Sequence, residues 1–229
     1  YHKNKFDREF DKYINIWGAD HHGYITRVKA AIEFLGNDSS KLEVLLSQMV
    51  QLLKGGEPYK MSKRKGNVIL MSEITEEIGS DALRFIFLTK KSDTHLEFDI
   101  DTLKNQDSSN PIFYINYAHA RINQVFVKAG VNFDDIKDIS FEKLNQDGLN
   151  LVYESLLLES ILVEAFAKRD MQKITEYLYN LASSIHKFYN EHKIIGSDEQ
   201  NLYLKVLSIA ALSIKVGLKL LGIEAKEIM

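Results

Sequence analysis

The stretch NPIFYINYAHARINQVFVKAG, residues 110–130, carries its own punctuation. Asn110 stands where a helix N-cap belongs and Pro111 at the first helical position, where a missing N–H costs nothing. Gly130 stands where a helix stops in the left-handed conformation. Ile112, Ile115, Ile122, Val125, Phe126 and Ala129 recur close to helical spacing, so the chain is predicted to form a helix over 111–129 with an apolar stripe to bury.

Three more amphipathic runs follow a polar connection, NFDDIKDISFEKLNQDG. Residues 149–168 carry Leu149, Val152, Leu156, Ile161 and Phe166; residues 171–191 carry Ile174, Leu178, Leu181, Ile185 and Phe188; residues 199–221 carry Leu202, Val206, Ile209, Leu212 and Val216. Gly196 separates the last two. Residues 111–229 therefore read as an all-helical bundle.

Residues 1–105 have another grammar. YINIW, residues 13–17, is a β-branched and aromatic run, GADHHG is a loop, and Ile25, Val28, Ile32 and Leu35 repeat at helical spacing before Gly36. LEVLLSQMVQLL, 42–53, reads as a second strand ending at Gly55-Gly56, with helix as the alternative. Ser80 is placed to cap a helix with Asp81 in its first turn and Leu83, Phe87 and Leu88 to bury, Arg84 facing Asp81 on its surface. Strand-turn-helix units indicate α/β architecture, with ligands bound at the carboxyl ends of strands. GADHHG is at such an end.

Composition removes some functions. With no cysteine there is no disulfide framework and no thiolate chemistry, in keeping with a reducing cytoplasm. The 7 histidines contain no His-Glu-x-x-His pattern, so no protein-bound metal is expected. Apolar runs are interrupted well before the length of a membrane span, and the charged opening YHKNKFDREF is unlike a secretory signal. A net charge of −3 gives no global support for nucleic-acid binding, which would have to come from local patches and aromatic contacts. The opening residues, from Tyr1 onward, read as the interior of a longer chain.

Three places carry potential chemistry. In GADHHG, Gly18 and Gly23 allow close approach of backbone to ligand, Asp20 can accept from a ribose hydroxyl or an amine, and His21 can donate or stack; alternatively Asp20 and His21 only cap the next helix. In EPYKMSKRKGNV, Lys60, Lys63, Arg64 and Lys65 lie between Gly55-Gly56 and Gly66. That is either a solvated basic turn or a loop that closes on a polyphosphate, with Lys60 and Lys63 on the charge of a departing pyrophosphate. It is not a Walker A loop. In the bundle, Tyr114, Tyr117 and Arg121 share one helical face, as do His186, Tyr189 and Lys193; such faces either stack exposed bases or form a core edge with a solvated rim.

Taken in order, NIWGADHHGYITRVKAAIEFLG, KMSKRKGN, DALRFIFL, THLEFDID, NPIFYINYAHARI and LGIEAKEIM resemble the arginyl-tRNA synthetases, class I enzymes, over essentially the whole chain. The resemblance implies the later part of a Rossmann-like catalytic domain over 1–105, including the KMSKS loop and connecting region, and a helical DALR-type anticodon-binding domain over 106–229. It implies a ligase that activates arginine with ATP, accompanied by Mg2+, and transfers it to the terminal adenosine of an arginine-accepting tRNA, in a cytoplasmic monomer with no membrane partner. By similarity Gly18, Asp20, His21, Met61 and Ser62 line the ATP and arginine pocket, Lys60 and Lys63 act on the phosphates, and Tyr114, Tyr117, Arg121, Tyr189 and Met229 contact tRNA.

The departures are equally specific. Arg64 replaces the serine at the fifth KMSKS position, and no His-x-Gly-His occurs. The family's elbow-binding domain and the strand that supplies arginine-binding residues are not in this sequence. By this reading the 229 residues alone do not aminoacylate. The rival readings are a non-catalytic helical RNA-binding or interaction module and a class I ligase for another amino acid, such as cysteine. A His-x-Gly-His element upstream would separate the first rival, and arginine-dependent ATP–pyrophosphate exchange the second.

Overall fold

A computed structural model describes residues 1–59 and 70–229. Lys60, Met61, Ser62, Lys63, Arg64, Lys65 and Gly66 lie outside the described residues.

The chain opens with α1 (His2–Phe6), then β1 (Tyr13–Gly18), a 3₁₀ turn over Ala19–Tyr24, α2 (Ile25–Phe34) and β2 (Leu42–Ser47). β1 and β2 pair in parallel, Tyr13 opposite Leu42 through Gly18 opposite Ser47. Phe6, Tyr13, Ile32 and Leu42 form a small core beneath them. The expected second strand is two. β2 ends at Ser47 and β3 (Val50–Lys54) belongs to another sheet, pairing in parallel with β5 (Leu96–Asp99) and antiparallel with β4 (Glu57–Pro58). The switch falls at Gln48, whose N–H donates to Ser92 O at 2.7 Å instead of continuing the first ladder.

α3 (Met71–Ile78) and α4 (Ser80–Leu88) meet at Gly79, whose φ of +83° suits glycine. Gly79, not Ser80, is the N-cap of α4; Ser80 is its first helical residue and makes no capping bond. Asp81 does lie in the first turn. α4 faces two cores: Leu83 joins Ile74, Leu96, Phe98, Ile100 and Leu103, whereas Ala82 and Phe85 enter the large core of the bundle. Phe85, 1 % exposed, was missed by the sequence reading, which placed burial on Phe87 and Leu88, both only partly buried. Arg84 does not pair with Asp81 among the described ion pairs but packs against Gly222, where a Cβ would collide with the guanidinium.

Asn110 fastens the junction to the bundle. Its side chain accepts from Phe113 N and donates to Leu103 O and Asn105 O, and it is buried. From it runs α5 (Pro111–Ala129), stopped by Gly130 at φ +64°, as the punctuation predicts. α6 (Phe133–Ile136), α7 (Gln146–Leu156), α8 (Leu158–Lys168), α9 (Gln172–Glu191) and α10 (Gln200–Leu220) complete the bundle. In α9 the predicted stripe of Ile174, Leu178, Leu181, Ile185 and Phe188 is buried throughout.

The predicted helix over 149–168 starts earlier, capped by Asn145, and is broken at Leu157. The cause is Ser155: its carbonyl accepts from the hydroxyls of Tyr177 (2.8 Å) and Ser213 (3.0 Å), diverting it from the helical ladder. The buried face shifts with the break. Leu151, Ser155, Leu158 and Ala165 are inside, while Leu149, Leu156 and Phe166 are exposed. α10 is apolar nearly all round and is long and apolar enough to cross a membrane by length and composition, yet 61 % of that window is buried within the bundle. Its inward face is set by small residues. Gly217 lets Leu178 approach so closely that a Cβ would clash, and Leu212 and Val216, expected inside, point outward.

Candidate nucleic-acid interface

At the carboxyl end of β1, Gly18 is followed by Asp20 and His21 on the 3₁₀ turn. A Cβ at Gly18 would meet Asp20 Oδ1, so a larger residue there would push the Asp20 carboxylate out of its present position. His21 Nε2 and Asp20 Oδ2 are 3.7 Å apart and both side chains are exposed. Neither caps the following helix: its N-cap is Tyr24, and Asp20 and His21 make no side-chain hydrogen bond among the described residues. The helix-cap alternative therefore fails, and an open Asp–His pair remains beside Tyr24, whose ring carries Arg27 at 5.4 Å.

The β3–β4 hairpin leads toward residue 60. Its glycines are held in place: Gly56 N–H donates to Asp99 (2.6 Å) and Gly55 N–H to Asp101 (3.1 Å). Asp101 N–H also donates to Asp99, and these backbone donors, Asp101's first, hold the Asp99 carboxyl below its usual pKa. Across the hairpin base, Glu77 of α3 accepts from Lys104 and from Lys54, which lowers the pKa of Glu77 and raises those of both lysines. Segments on either side of 60–69 are thus joined by a charged bridge, exposed to solvent and worth little stability by itself.

The bundle brings its candidates together. Tyr114, Tyr117 and Arg121 of α5 face His186 and Tyr189 of α9. Tyr117 stacks on His186 at 5.5 Å between centroids, Tyr114 lies 4.6 Å from the same ring, and the Arg121 guanidinium sits 3.6 Å over Tyr189. Tyr117 is 44 % exposed, with Phe113 parallel to it at 6.2 Å, which leaves an aromatic surface open to solvent. His186 is buried beneath and its Nε2 lies 3.4 Å from Tyr114 O; burial first, then Arg121, keeps its pKa below 6.5. The imidazole is therefore a neutral donor and a floor for the face. Tyr179, tilted against Tyr114 at 5.2 Å, also belongs, as the i+7 spacing from Tyr179 to His186 could have shown. Lys193 does not, because α9 ends at Glu191. Met229 is 47 % exposed at the end of a segment that runs back over α5.

The family model for the DALR anticodon binding domain matches residues 115–229, half of the chain, and covers this face from Tyr117 onward. Residues 2–101 match the model for class I tRNA synthetases described for I, L, M and V. An arginine–tRNA ligase of Aliarcobacter butzleri is 99 % identical over the whole chain, and one of Campylobacter lari 63 %. The chain belongs to the DALR anticodon-binding family and is similar over its whole length to arginyl-tRNA synthetases. It spans 43 % of the length of those two relatives. A crystal structure described as an arginyl-tRNA synthetase from Campylobacter jejuni superposes with a TM-score of 0.95 at 61 % identity, covering all of this chain and 50 % of that one. At 21 % identity an arginyl-tRNA synthetase of Thermus thermophilus shares the fold, with a TM-score of 0.76 over 96 % of this chain and 41 % of that one. The synthetase family is thus matched on both sides of Asn110, the α/β segment by one model and the bundle by the other.

Proposed function

We propose that this chain is the portion of an arginine–tRNA ligase that binds the anticodon side of the tRNA and supplies the KMSKS loop to the activation site. The observation that carries the reading is the exposed aromatic face of α5 and α9 inside a matched DALR domain. Every base has a π-face, so Tyr117, parallel to Phe113 and backed by His186, offers a platform worth about 1–3 kcal/mol per stacked base. Tyr114 and Tyr189 border it. Arg121, fixed over Tyr189, holds that ring and adds positive charge toward phosphates. Met229 contacts the tRNA from the adjoining segment.

On the catalytic side, ATP enters as its Mg2+ complex. The arginine carboxylate attacks the α-phosphorus, pyrophosphate leaves, and a ribose hydroxyl of the terminal tRNA adenosine then attacks the arginyl carbonyl, releasing AMP. Gly18, Asp20 and His21 line the ATP and arginine pocket, with Met61 and Ser62 beside them. Lys60 and Lys63 stabilise the charge that grows on the leaving pyrophosphate. The enzyme acts as a cytoplasmic monomer. The test is to assay the full-length protein carrying this chain with ATP, arginine and tRNA. Charging with arginine, and not with cysteine, is expected; failure to charge any tRNA with arginine overturns the reading.

A further inference from the structure

After α10 the chain turns through a left-handed Gly222, with Gly222 N–H bonded to Lys219 O and Ile223 N–H to Leu218 O, both at 3.0 Å. This Schellman geometry reverses the chain and buries Ile223. The segment then crosses α5, where one residue, Lys226, is held at both backbone poles. Its N–H donates to Asn116 Oδ1 at 3.0 Å, and its carbonyl lies 2.8 Å from His119 Nδ1. Asn116 and His119, three residues apart on one face of α5, are 5 % and 3 % exposed.

The proton on His119 can be placed by elimination. Lys226 O can only accept, so its 2.8 Å approach requires a hydrogen on Nδ1, while Asn123 Nδ2, 3.2 Å from Nδ1, donates to His119 O at 3.1 Å. Nδ1 therefore carries the hydrogen and donates to Lys226. Burial keeps the ring neutral, with Lys215 and Glu227 the charged groups facing it. Beyond this grip the chain is open to solvent, Ile228 at 83 % and Met229 at 47 % exposure, with Glu227 paired to Lys215 at 3.3 Å.

We propose that Asn116 and His119 are positioning residues that read the backbone of Lys226 and so fix the direction in which Ile228 and Met229 meet the tRNA. This rests on the tRNA-binding reading above. Because the grip is on the main chain, the side chain at 226 does not matter, whereas its N–H and C=O do.

In the full-length protein, hydrogen exchange of amides 225–229 and the equilibrium Kd for arginine-accepting tRNA are measured together. Asn116→Ala, His119→Ala and Lys226→Pro should each speed exchange and weaken tRNA binding by about 3- to 10-fold, the loss of one or two ordinary hydrogen bonds. Lys226→Ala should change neither. His119→Asn, which places an amide N–H near the Nδ1 position, should restore both. Unchanged exchange in Asn116→Ala and His119→Ala overturns the clamp, as does equal loosening in His119→Asn, which would assign the effect to ring packing. Faster exchange with unchanged tRNA affinity overturns the positioning role. Tyr117→Ala run in parallel separates that result from failure of the tRNA reading, which would leave Tyr117→Ala silent as well.

Discussion

In the bundle, Leu178, Leu181, Ile185, Leu204, Leu207 and Ile214 are each 1 % exposed or less, whereas in the α/β portion Ile14, Ile16, Phe34 and Met49 are 44 %, 70 %, 91 % and 76 % exposed. The bundle closes one large core, with Leu156, Phe166 and Leu212 left exposed on its outside. The α/β portion has two small cores and two short sheets that do not share a ladder among the described residues, and it leaves apolar faces uncovered. The matched relatives are longer, with this chain spanning 43 % of the first two. A region that closes its own core can hold a rigid recognition face.

Phe85 joins the two regions, because α4 inserts it into the bundle core at 1 % exposure. Phe85→Ala should lower the stability of the bundle by about 3–5 kcal/mol, read as a shifted denaturation midpoint. An unchanged midpoint would make the bundle independent of α4. Lys63→Ala tests the catalytic side alone: adenylate formation should slow by about two orders of magnitude while tRNA affinity holds, and an unchanged rate returns the loop to a solvated turn. On the other side, Asp99→Asn removes a charged acceptor from the Gly55-Gly56 hairpin. It should cost about 1–2 kcal/mol of local stability, seen in hydrogen exchange of β3 and β4, and leave the melting of the bundle untouched.

The smallest effect is a pH dependence. Burial holds His119 and His186 below the ordinary 6.5, so as pH falls the unfolded chain takes up these protons first. Their contribution to stability is complete above about 6.5 and is lost as pH drops below it. Thermal unfolding of the bundle between pH 7.5 and 5.5 should show a falling midpoint whose slope is shallower in His119→Asn.

What could be read in the sequence depended on how locally each feature is determined. α5 and α9 were legible because Asn110, Pro111 and Gly130 mark one and a strict apolar stripe marks the other. α10 has apolar residues on every face, so its inward side is chosen by Gly217 meeting Leu178, a contact no periodicity reveals. The break at Leu157 comes from hydroxyls on α9 and α10, and the split of the 42–53 run from a bond to Ser92. Of the candidate site residues, Gly18, Asp20 and His21 lie together at the end of β1, and Tyr114, Tyr117, Arg121 and Tyr189 share one surface. Helical spacing grouped Tyr114, Tyr117 and Arg121 on one helix and His186 with Tyr189 on another but not the meeting of the two, and Tyr179 and Phe113 stand at spacings that could have been counted. Asn116 and His119 had no signal, since their partner Lys226 is 110 and 107 residues away. Lys60, Met61, Ser62 and Lys63 rest on sequence alone.

The central claim is that the face of α5 and α9 binds tRNA, and the most direct measurement is the affinity of folded full-length protein for arginine-accepting tRNA after Tyr117→Ala. Tyr153→Ala, which removes an exposed tyrosine on α7 that no described aromatic contact joins to that face, is the control. The account predicts a loss of about 1–3 kcal/mol for Tyr117→Ala and none for Tyr153→Ala. Equal affinity for the two variants would contradict it.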